Sequence, residues 1–425
     1  MHIGDTPEQA AFRAEARAWL EAHAHRRDSH EGKSADHTRD LAGHMQACRD
    51  WQRVLYDNSW AGITWPKQYG GRGASAIQSA IFAEEMSQFE VATGAFAVSI
   101  GMVGPTLIAH GTPEQQQHHL APILKGEEVW CQLFSEPAAG SDLAGIRTRA
   151  ERDGDEWVIN GQKVWNTSAH HADYGMLLAR TNRDGSKHHG ISYFVLPMHQ
   201  PGIEVRPIKQ MNYHSSFNEV FMTDARIPVN MIIGTLDDGW RVARATLAHE
   251  RTFSTMRRPK FVHNNAIESR AVREAEHEAE EHFKTYVWYP QRAGRVDLVV
   301  ERAQLLGVSN DPMIRQNIAA LLSFHRMNEW TALRARAARA LGQPPGPEGS
   351  IGKLAASEVS RMAHRVHTLI SGAHGMLQNG DHAHDATIAE VLVSTPAQSI
   401  AGGTDQIQRS IIGEKILGLP RDASN

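Results

Sequence analysis

The chain has 425 residues, with 44 Lys and Arg against 48 Asp and Glu and a formal net charge of −4. This length allows roughly two to four domains, and the balanced charge excludes a strongly basic surface for nucleic acid or anionic lipid. No run of about 18 apolar residues marks a membrane span, and the polar N-terminus lacks a secretory layout. With only two cysteines, the expected compartment is the reduced cytoplasm.

The first stretch, residues 1–127, carries helical patterns. A Thr-Pro-Glu-Gln motif at 6–9 predicts a helix start with a capping box, and apolar residues then recur at helical spacing. The same motif recurs at 112–115. Further helices are expected at 40–58, 76–98 and 113–124.

The second stretch, residues 128–232, has short apolar runs ended by turn residues, which predicts a compact β domain of the barrel or sandwich type. The Asn160-Gly161 pair lies between two apolar runs and predicts a hairpin turn. Other strands are expected at Tyr174–Leu178, Ile191–Leu196, Ile203–Ile208 and Glu219–Met222.

The third stretch, residues 233–425, returns to helical periodicity and predicts a four-helix bundle. Apolar stripes occupy positions 362–370 and 412–419, and a Pro-rich segment at 343–347 predicts an exposed connection between helices. The order of helices, β domain and helices predicts an α+β protein with three domains.

Two weak motifs are set aside. A dinucleotide fingerprint can be fitted to Gly71-x-Gly73-x-x-Ala76, but it follows a Pro-containing loop where a Rossmann site needs a strand. The 25 histidines suggest metal binding, above all at His364 and His367 and at His382 and His384. No Cys or carboxylate partner sits at a recognisable spacing, so no metal site is expected.

Two ionisable side chains lie in apolar surroundings. Cys131 has no nearby cation to lower its pKa, which predicts a buried, inert thiol. Glu250 continues a helical stripe formed by Trp240, Ala243 and Leu247. A carboxylate on a buried face acts as a general base when its pKa rises toward neutrality, or else forms an ion pair with an arginine such as Arg251.

Two loops of small and polar residues, 135–142 and 401–406, are either ordinary turns and helix caps or binding sites for an anion. The first follows an apolar strand and offers main-chain N–H groups and hydroxyls. The second places glycines before a helix start, where free N–H groups and the helix dipole favour a phosphate or an electron-rich ring edge.

Together these residues resemble the acyl-CoA dehydrogenase family. The resemblance rests on three segments in the family's order, and the helix–β–helix arrangement extends it over essentially the whole chain. The segments are 130–144 (WCQLFSEPAAGSDLA), 160–167 (NGQKVWNT) and 400–409 (IAGGTDQIQR).

The resemblance implies an FAD enzyme that oxidises an acyl-CoA thioester, with the α proton passing to a carboxylate and the β hydride to flavin N5. It implies electron transfer to an electron-transferring flavoprotein and a homotetramer or an α2β2 heterotetramer. Its implied cofactor-binding residues are Gln132, Phe134, Ser135, Gly140, Ser141, Trp165, Thr167, Gly372, Thr404 and Gln406. Its implied substrate-binding residues are Ser141, Arg251, Gly402 and Gly403.

The position of the base follows a minority of the family. Many members carry a Glu before the Gly-Thr of the C-terminal loop, where this chain has Gly402. Isovaleryl-CoA dehydrogenase-like members place the Glu on a helix, followed by Arg, which matches Glu250-Arg251. The resemblance therefore implies Glu250 as the general base. Gly402 leaves room near the flavin, which favours branched, bulky or ring-bearing acyl groups.

Two segments depart from the family's pattern. The stretch 301–307 lacks the Phe and the spacing with which a neighbouring subunit grips FAD, and the glycine-rich stretch appears in altered form at 371–375. These departures fit a subunit of a heterotetramer with half the flavin sites. The alternatives to a self-sufficient dehydrogenase are therefore a non-catalytic or half-site subunit and a flavin monooxygenase on the same fold.

Overall fold

The computed structural model describes residues 5–26, 41–86, 88–184, 187–211, 215, 217–256, 296, 299–340, 346–376 and 385–420. These residues divide into two compact units. The first contains the N-terminal helices, the β-sheet and the helix that follows the sheet, and the second contains the C-terminal helices. The predicted domain boundaries at 127/128 and 232/233 remain predictions. Among the described residues, no helix is both long and apolar enough to cross a bilayer.

The N-terminal region is helical, as predicted. Both Thr-Pro-Glu-Gln motifs form capping boxes, in which the side chains of Thr6 and Thr112 accept from the main-chain N–H three residues later. Its helices are α1 (Pro7–His23), α2 (Leu41–Asp57), α3 (Ala76–Met86), α4 (Gly104–His110) and α5 (Pro113–Lys125), with a π-helical turn at Ser99–Val103.

Helix α3 ends at Met86, and the prediction of a helix at 76–98 is wrong over residues 88–96. The chain leaves the helix there because β2 (Phe89–Glu90) pairs antiparallel with β1 (His25–Arg26), and Phe89 is fully buried. The Gly71–Ala76 segment follows a 3-10 turn, Lys67–Tyr69, and leads into α3. It therefore lacks the strand that a Rossmann fingerprint requires.

The middle of the chain forms one curled, seven-stranded sheet. The strands run in the order β3-β6-β4-β5-β9-β8, and β7, which is outside this order, pairs antiparallel with β6 along Tyr174–Arg180. Most pairs are antiparallel, but β3 and β4 each run parallel to β6. The strands are β3 (Trp130–Leu133), β4 (Arg149–Asp153), β5 (Glu156–Thr167), β6 (Tyr174–Arg180), β7 (Ile191–Pro197), β8 (Ile203–Ile208) and β9 (Phe217–Pro228).

The predicted hairpin at Asn160-Gly161 is wrong, because β5 runs straight through this pair. The turn lies earlier, at Gly154, between β4 and β5. The Asn160 side chain instead bonds across to Asp224 of β9, with Nδ2 donating to Asp224 Oδ1 at 2.9 Å and Oδ1 accepting from the Asp224 N–H at 3.1 Å. Asp224 has φ 53° within a bulge of β9, so this bonding supports the bulge.

A second bulge lies in β5 itself. Lys163 pairs with Val220 and Asn166 with Asn218, so β5 carries one residue more than β9 between these pairs. Trp165 lies in this bulge at φ 62°. The extra residue shifts the alternation of buried positions, so that Lys163, Val164 and Asn166 are all buried and Trp165 is exposed.

Helix α6 (Gly239–Met256) follows the sheet and belongs to the first unit. A Cβ at Gly239 would lie 2.5 Å from the Ser192 carbonyl carbon, so only glycine allows this approach to β7. The inward face of α6 buries Val242, Ala243 and Thr246 completely, and the helix contacts the π-helical turn, α4 and β7.

The second unit is entirely helical in its described part. Val299, Leu321, Ala363 and Val366 are among its buried core residues. The segment 343–347, predicted to connect two helices, lies mostly outside the described residues. The helices are α7 (Val299–Leu305), α8 (Pro312–Ala340), α9 (Glu348–Ser371), α10 (Asp385–Ile400) and α11 (Asp405–Lys415).

Candidate functional site

Strand β5 holds the main chain of the first predicted flavin segment. Three donors of β5 bind three carbonyl oxygens of that segment: Asn166 Nδ2 to Gln132 at 2.7 Å, Lys163 Nζ to Phe134 at 3.0 Å and the Val164 N–H to Ser135 at 2.9 Å. Two of these donors are side chains that reach across from β5. These hydrogen bonds therefore fix the main chain at three of the predicted cofactor-binding residues, Gln132, Phe134 and Ser135.

A buried ion pair supports the same segment. Lys163 Nζ lies 2.8 Å from Glu136 Oε1, and the two side chains are 0% and 7% exposed. Burial lowers the pKa of Lys163 to about 8, although Glu136 opposes this shift. Burial also acts to raise the pKa of Glu136, but Lys163 and the hydrogen bonds to the carboxylate outweigh it and lower that pKa below its usual value.

The Glu136 carboxylate also closes the loop that follows. Its two oxygens accept main-chain N–H groups of Arg147 at 2.6 Å and Thr148 at 2.9 Å. At the near end of the loop, Glu136 and Ala139 exchange main-chain hydrogen bonds of 3.0 Å each. The tip between these anchors is exposed and carries Gly140 and Ser141. Main-chain N–H groups at such a tip are accessible to an anionic ligand.

Trp165 presents an uncovered aromatic ring beside this loop. Its side chain is 58% exposed and contacts Phe217 edge-on, with ring centroids 5.9 Å apart. Thr167, two residues on, is also exposed. An exposed tryptophan in a positive-φ bulge gives up apolar burial, which a flat ring stacked on it would recover.

Glu250 lies on α6 and is half-buried. One turn before it, the buried Thr246 hydroxyl bonds to Thr106 Oγ1 at 2.9 Å and to the Tyr193 hydroxyl at 3.2 Å. The Tyr193 ring in turn contacts the Phe134 ring edge-on, at 5.7 Å between centroids. Packed side chains therefore connect the helix of Glu250 to the β3 segment within one unit. The side chain of Arg251 lies outside the described residues.

The second predicted loop begins α11 in the second unit. Gly402 and Gly403 have φ 67° and 90°, and Thr404 caps the helix by accepting the Ile407 N–H at 3.2 Å. This confirms the predicted helix start. Gly402 and Gln406 are exposed and Thr404 is half-buried. A Cβ at Gly402 would meet no atom within 4 Å.

A second ion-pair network anchors this loop. Asp405, 4% exposed, accepts from Arg361 Nη1 at 2.8 Å and lies 3.4 Å from Lys353 Nζ. Arg361 Nη1 also donates to Ser399 Oγ at 2.6 Å, and Lys353 Nζ donates to the Gln398 carbonyl at 2.7 Å. The same two cations therefore hold both the end of α10 and the start of α11.

The altered cross-subunit segments meet inside the second unit. Arg302, 3% exposed, bonds through Nη1 to His367 Nδ1 and through Nη2 to Ser371 Oγ, both at 2.8 Å. Gly372 follows at the end of α9 with φ 57° and is exposed. Arg302 thus lies within the core of its own unit.

The remaining candidates from the sequence are Cys131 and the histidines. Cys131 is fully buried, as predicted, and burial raises the pKa of its thiol to about 12. Burial lowers the pKa of His364, and His382 and His384 lie outside the described residues. The His118, His119 and Glu128 side chains have possible ligand atoms within 4.8 Å of one another, but Glu128 Oε2 already accepts from His119 and from the Trp130 indole, both at 2.9 Å.

Sequence reasoning missed the side chains that hold the loops. Lys163, Asn166 and Asp405 each lie within a recognised segment, but their bonding partners are 27, 34 and 44 to 52 positions away. A lysine between apolar strand positions is the signal that could have drawn attention to Lys163.

Comparisons with known proteins define the family. Models of the acyl-CoA dehydrogenase N-terminal, middle and C-terminal domains match residues 6–127, 131–225 and 294–417. The acyl-CoA dehydrogenase IpdE1 of Mycobacterium tuberculosis is 34% identical over 97% of this chain and 98% of its own length. The chain belongs to the acyl-CoA dehydrogenase family, a family of FAD-binding oxidoreductases.

Two solved structures of similar proteins share the fold. A steroid ACAD, Tcur3481-Tcur3483, superposes with a TM-score of 0.75 at 26% identity, covering 99% of this chain and 100% of that one. The ChsE4-ChsE5 complex from Mycobacterium tuberculosis gives the same values. The predicted three-domain fold of helices, sheet and helices is thereby confirmed.

The residues of the first unit fit a flavin. The bulged, exposed Trp165 offers a ring face, and the exposed tip at Gly140 and Ser141 offers main-chain N–H groups. A flavin has both a flat ring system and anionic phosphates, so each feature has a matching partner.

Proposed function

We propose that this protein oxidises the α,β bond of an acyl-CoA thioester, with Glu250 as the general base. The observation that carries the proposal is the half-buried carboxylate of Glu250 on α6, on a helix joined by Thr246, Tyr193 and Phe134 to the segment proposed to bind the flavin. A carboxylate is a side chain that acts as a general base, and a position only partly exposed to water suits removal of a weakly acidic α proton.

The residues have separate roles in binding and in proton transfer. One group binds the flavin, a second group binds the thioester, and Glu250 accepts the α proton. FAD held there would supply the hydride acceptor for the β carbon. The flavin group is Gln132, Phe134, Ser135, Gly140, Ser141, Trp165, Thr167, Gly372, Thr404 and Gln406. The substrate group is Ser141, Arg251, Gly402 and Gly403.

The preferred substrate carries a bulky or ring-bearing acyl group. Gly402 has no side chain, and its surroundings leave open space where a Cβ would stand. A solved structure of the same fold is titled a steroid ACAD. Both observations favour a large acyl group over a straight medium chain.

Electrons pass to an electron-transferring flavoprotein in the cytoplasm, and the chain acts in a homotetramer or an α2β2 heterotetramer. The second unit leaves large apolar side chains uncovered, including Trp330 at 61% and Leu417 at 65% exposure, which supports assembly. The ChsE4-ChsE5 complex supports the heteromer. A non-catalytic subunit is disfavoured because it has no need of a carboxylate on the face that Glu250 occupies.

The test is anaerobic flavin bleaching by acyl-CoA thioesters, using the purified full chain and Glu250→Gln. The variant should retain its flavin spectrum and lose at least 99% of the bleaching rate. Glu151→Gln, which removes an exposed carboxylate of β4, should bleach like the unaltered protein. Undiminished bleaching by Glu250→Gln would refute the assignment of the base.

Substrate and reaction class are separated by two further measurements. A thioester panel in which straight medium chains bleach fastest would refute the bulky-substrate proposal. Reduced flavin that reacts with air within the turnover time, with a hydroxylated product, would identify a flavin monooxygenase instead.

A further inference from the structure

Charge neutralisation alone does not explain the position of the buried ion pair between Lys163 and Glu136. A buried ion pair recovers little of its desolvation cost, so it is weak as a device for stability. Here the pair contacts the segment proposed to line the flavin, because Lys163 donates one of its three N–H groups to the Phe134 main-chain carbonyl. The cation therefore acts on the path of the chain as well as on its partner's charge.

The two side chains together restrain both sides of the loop. Lys163 fixes the chain entering the loop through the Phe134 carbonyl, at 3.0 Å. Glu136 fixes the chain leaving it through the N–H groups of Arg147 and Thr148. The 2.8 Å contact between Lys163 and Glu136 joins these restraints into one unit. Without Lys163, the Phe134 carbonyl loses this donor, and the Glu136 carboxylate that binds Arg147 and Thr148 is left buried without its counter-charge.

We propose that Lys163 and Glu136 are positioning residues that set the main chain of the loop 134–142 for flavin binding. This inference rests on the proposed flavin site, because the loop has a cofactor role only if that site is correct. The pair touches neither flavin nor substrate in the proposal. It acts through the carbonyl and N–H groups that it orients, and its loss weakens cofactor binding by leaving the loop free to adopt other paths.

The experiment compares Lys163→Met with Glu85→Gln in the full-length protein. Glu85 is a matched control because it is 1% exposed and pairs with Arg13 and Arg17 of α1, so its ion pairs lie outside the loop 134–142. Each variant removes one charge from a buried ion pair. Two readouts are used: the FAD dissociation constant by flavin fluorescence, and hydrogen–deuterium exchange of the protein stripped of flavin.

The expected result is specific to the loop. Lys163→Met should weaken FAD binding at least tenfold and speed amide exchange in peptides covering 134–148 at least tenfold, while peptides of β6 and β7 exchange as before. Glu85→Gln should change neither the FAD dissociation constant nor exchange in the loop. If Lys163→Met does not fold, Glu136→Gln takes its place, because the neutral side chain keeps the shape and one acceptor.

Several outcomes would overturn the proposal. Unchanged exchange in the loop would do so whether or not FAD binds, and so would an unchanged FAD dissociation constant in a variant whose unaltered parent binds FAD. An equal rise in exchange throughout the first unit would assign the pair to global stability. An unaltered protein that binds no FAD by itself would instead refute a flavin site complete in the homomer, while the exchange experiment would still decide whether Lys163 and Glu136 order the loop.

Discussion

The two proposed cofactor loops are anchored by ion pairs of opposite design. In the first unit, one cation, Lys163, is fully buried and serves a single carboxylate, Glu136. In the second unit, one buried carboxylate, Asp405, is shared by two cations, Lys353 and Arg361, whose side chains are 15% and 37% exposed. The first anchor excludes water and depends on each member. In the second anchor, two cations in contact with solvent neutralise one carboxylate, so this anchor should tolerate the loss of one cation.

The largest effect is expected from Lys163→Met. This change leaves the Glu136 carboxylate buried without its counter-charge, and breaking a buried pair from one side costs about 3 kcal/mol of unfolding free energy. Urea unfolding of the flavin-free protein measures the loss. A loss below ~1 kcal/mol would show that the hydrogen bonds from Arg147 and Thr148 satisfy the carboxylate alone, and the contrast between the anchors would fail.

A smaller effect is expected from Asp405→Asn. The change removes the charge that holds both Lys353 and Arg361, but both cations can turn toward water, so the expected loss is about 2 kcal/mol. The same urea experiment measures it, and Arg409→Gln, at an exposed position of the same helix, serves as the control. A loss as large as that of Lys163→Met would show that the second anchor is as dependent on single members as the first.

Lys353→Met should cost less than about 1 kcal/mol. Arg361 remains to neutralise Asp405, and the methionine avoids the desolvation that lowers the pKa of Lys353. Urea unfolding again gives the value. If Lys353→Met and Lys163→Met cost the same, sharing of a carboxylate between two cations gives no protection.

The smallest effect is a difference in acid sensitivity. The folded protein holds the pKa of Glu136 below 4.5 and that of Asp405 below 3.8, despite burial, through their cationic and hydrogen-bond partners. Because the unfolded chain binds more protons in each window, stability falls as pH drops below these ordinary values. The free energy of unfolding is measured from pH 6 to 3. The decrease that begins near pH 4.5 should be absent in Glu136→Gln, and the decrease that begins near pH 3.8 should be absent in Asp405→Asn. Identical curves for all three proteins would contradict this.

Local signals in the sequence were read correctly where the interacting groups are close in the chain. Each capping box joins residues three positions apart, and the glycine-led helix start at Thr404 bonds to Ile407. The Asn160-Gly161 pair shows the opposite case. Its turn preference was overruled because Asn160 bonds to Asp224, 64 positions away, and β5 pairs along its whole length with β9.

The segments that form the candidate site were predictable from the sequence, but the contacts that hold these segments in place were not. The segments that carry Phe134, Trp165 and Thr404 were found from their residue types and order. The bulge that exposes Trp165 was not, because it arises from the register between β5 and β9. The role of Glu250 stays a prediction. It rests on the position of Glu250 on the helix face where Ala243 and Thr246 are fully buried.

The sequence by itself determined the helix–sheet–helix order, the helix starts and the segments that resemble a flavoprotein dehydrogenase, because these depend on composition and on contacts within a few residues. Tertiary structure decided which polar residues are buried, which strand binds the Phe134 carbonyl and which cations share Asp405. Those contacts join residues 27 to 52 positions apart. Their free energies depend on desolvation and register, which exist only once the distant strands and helices have come together.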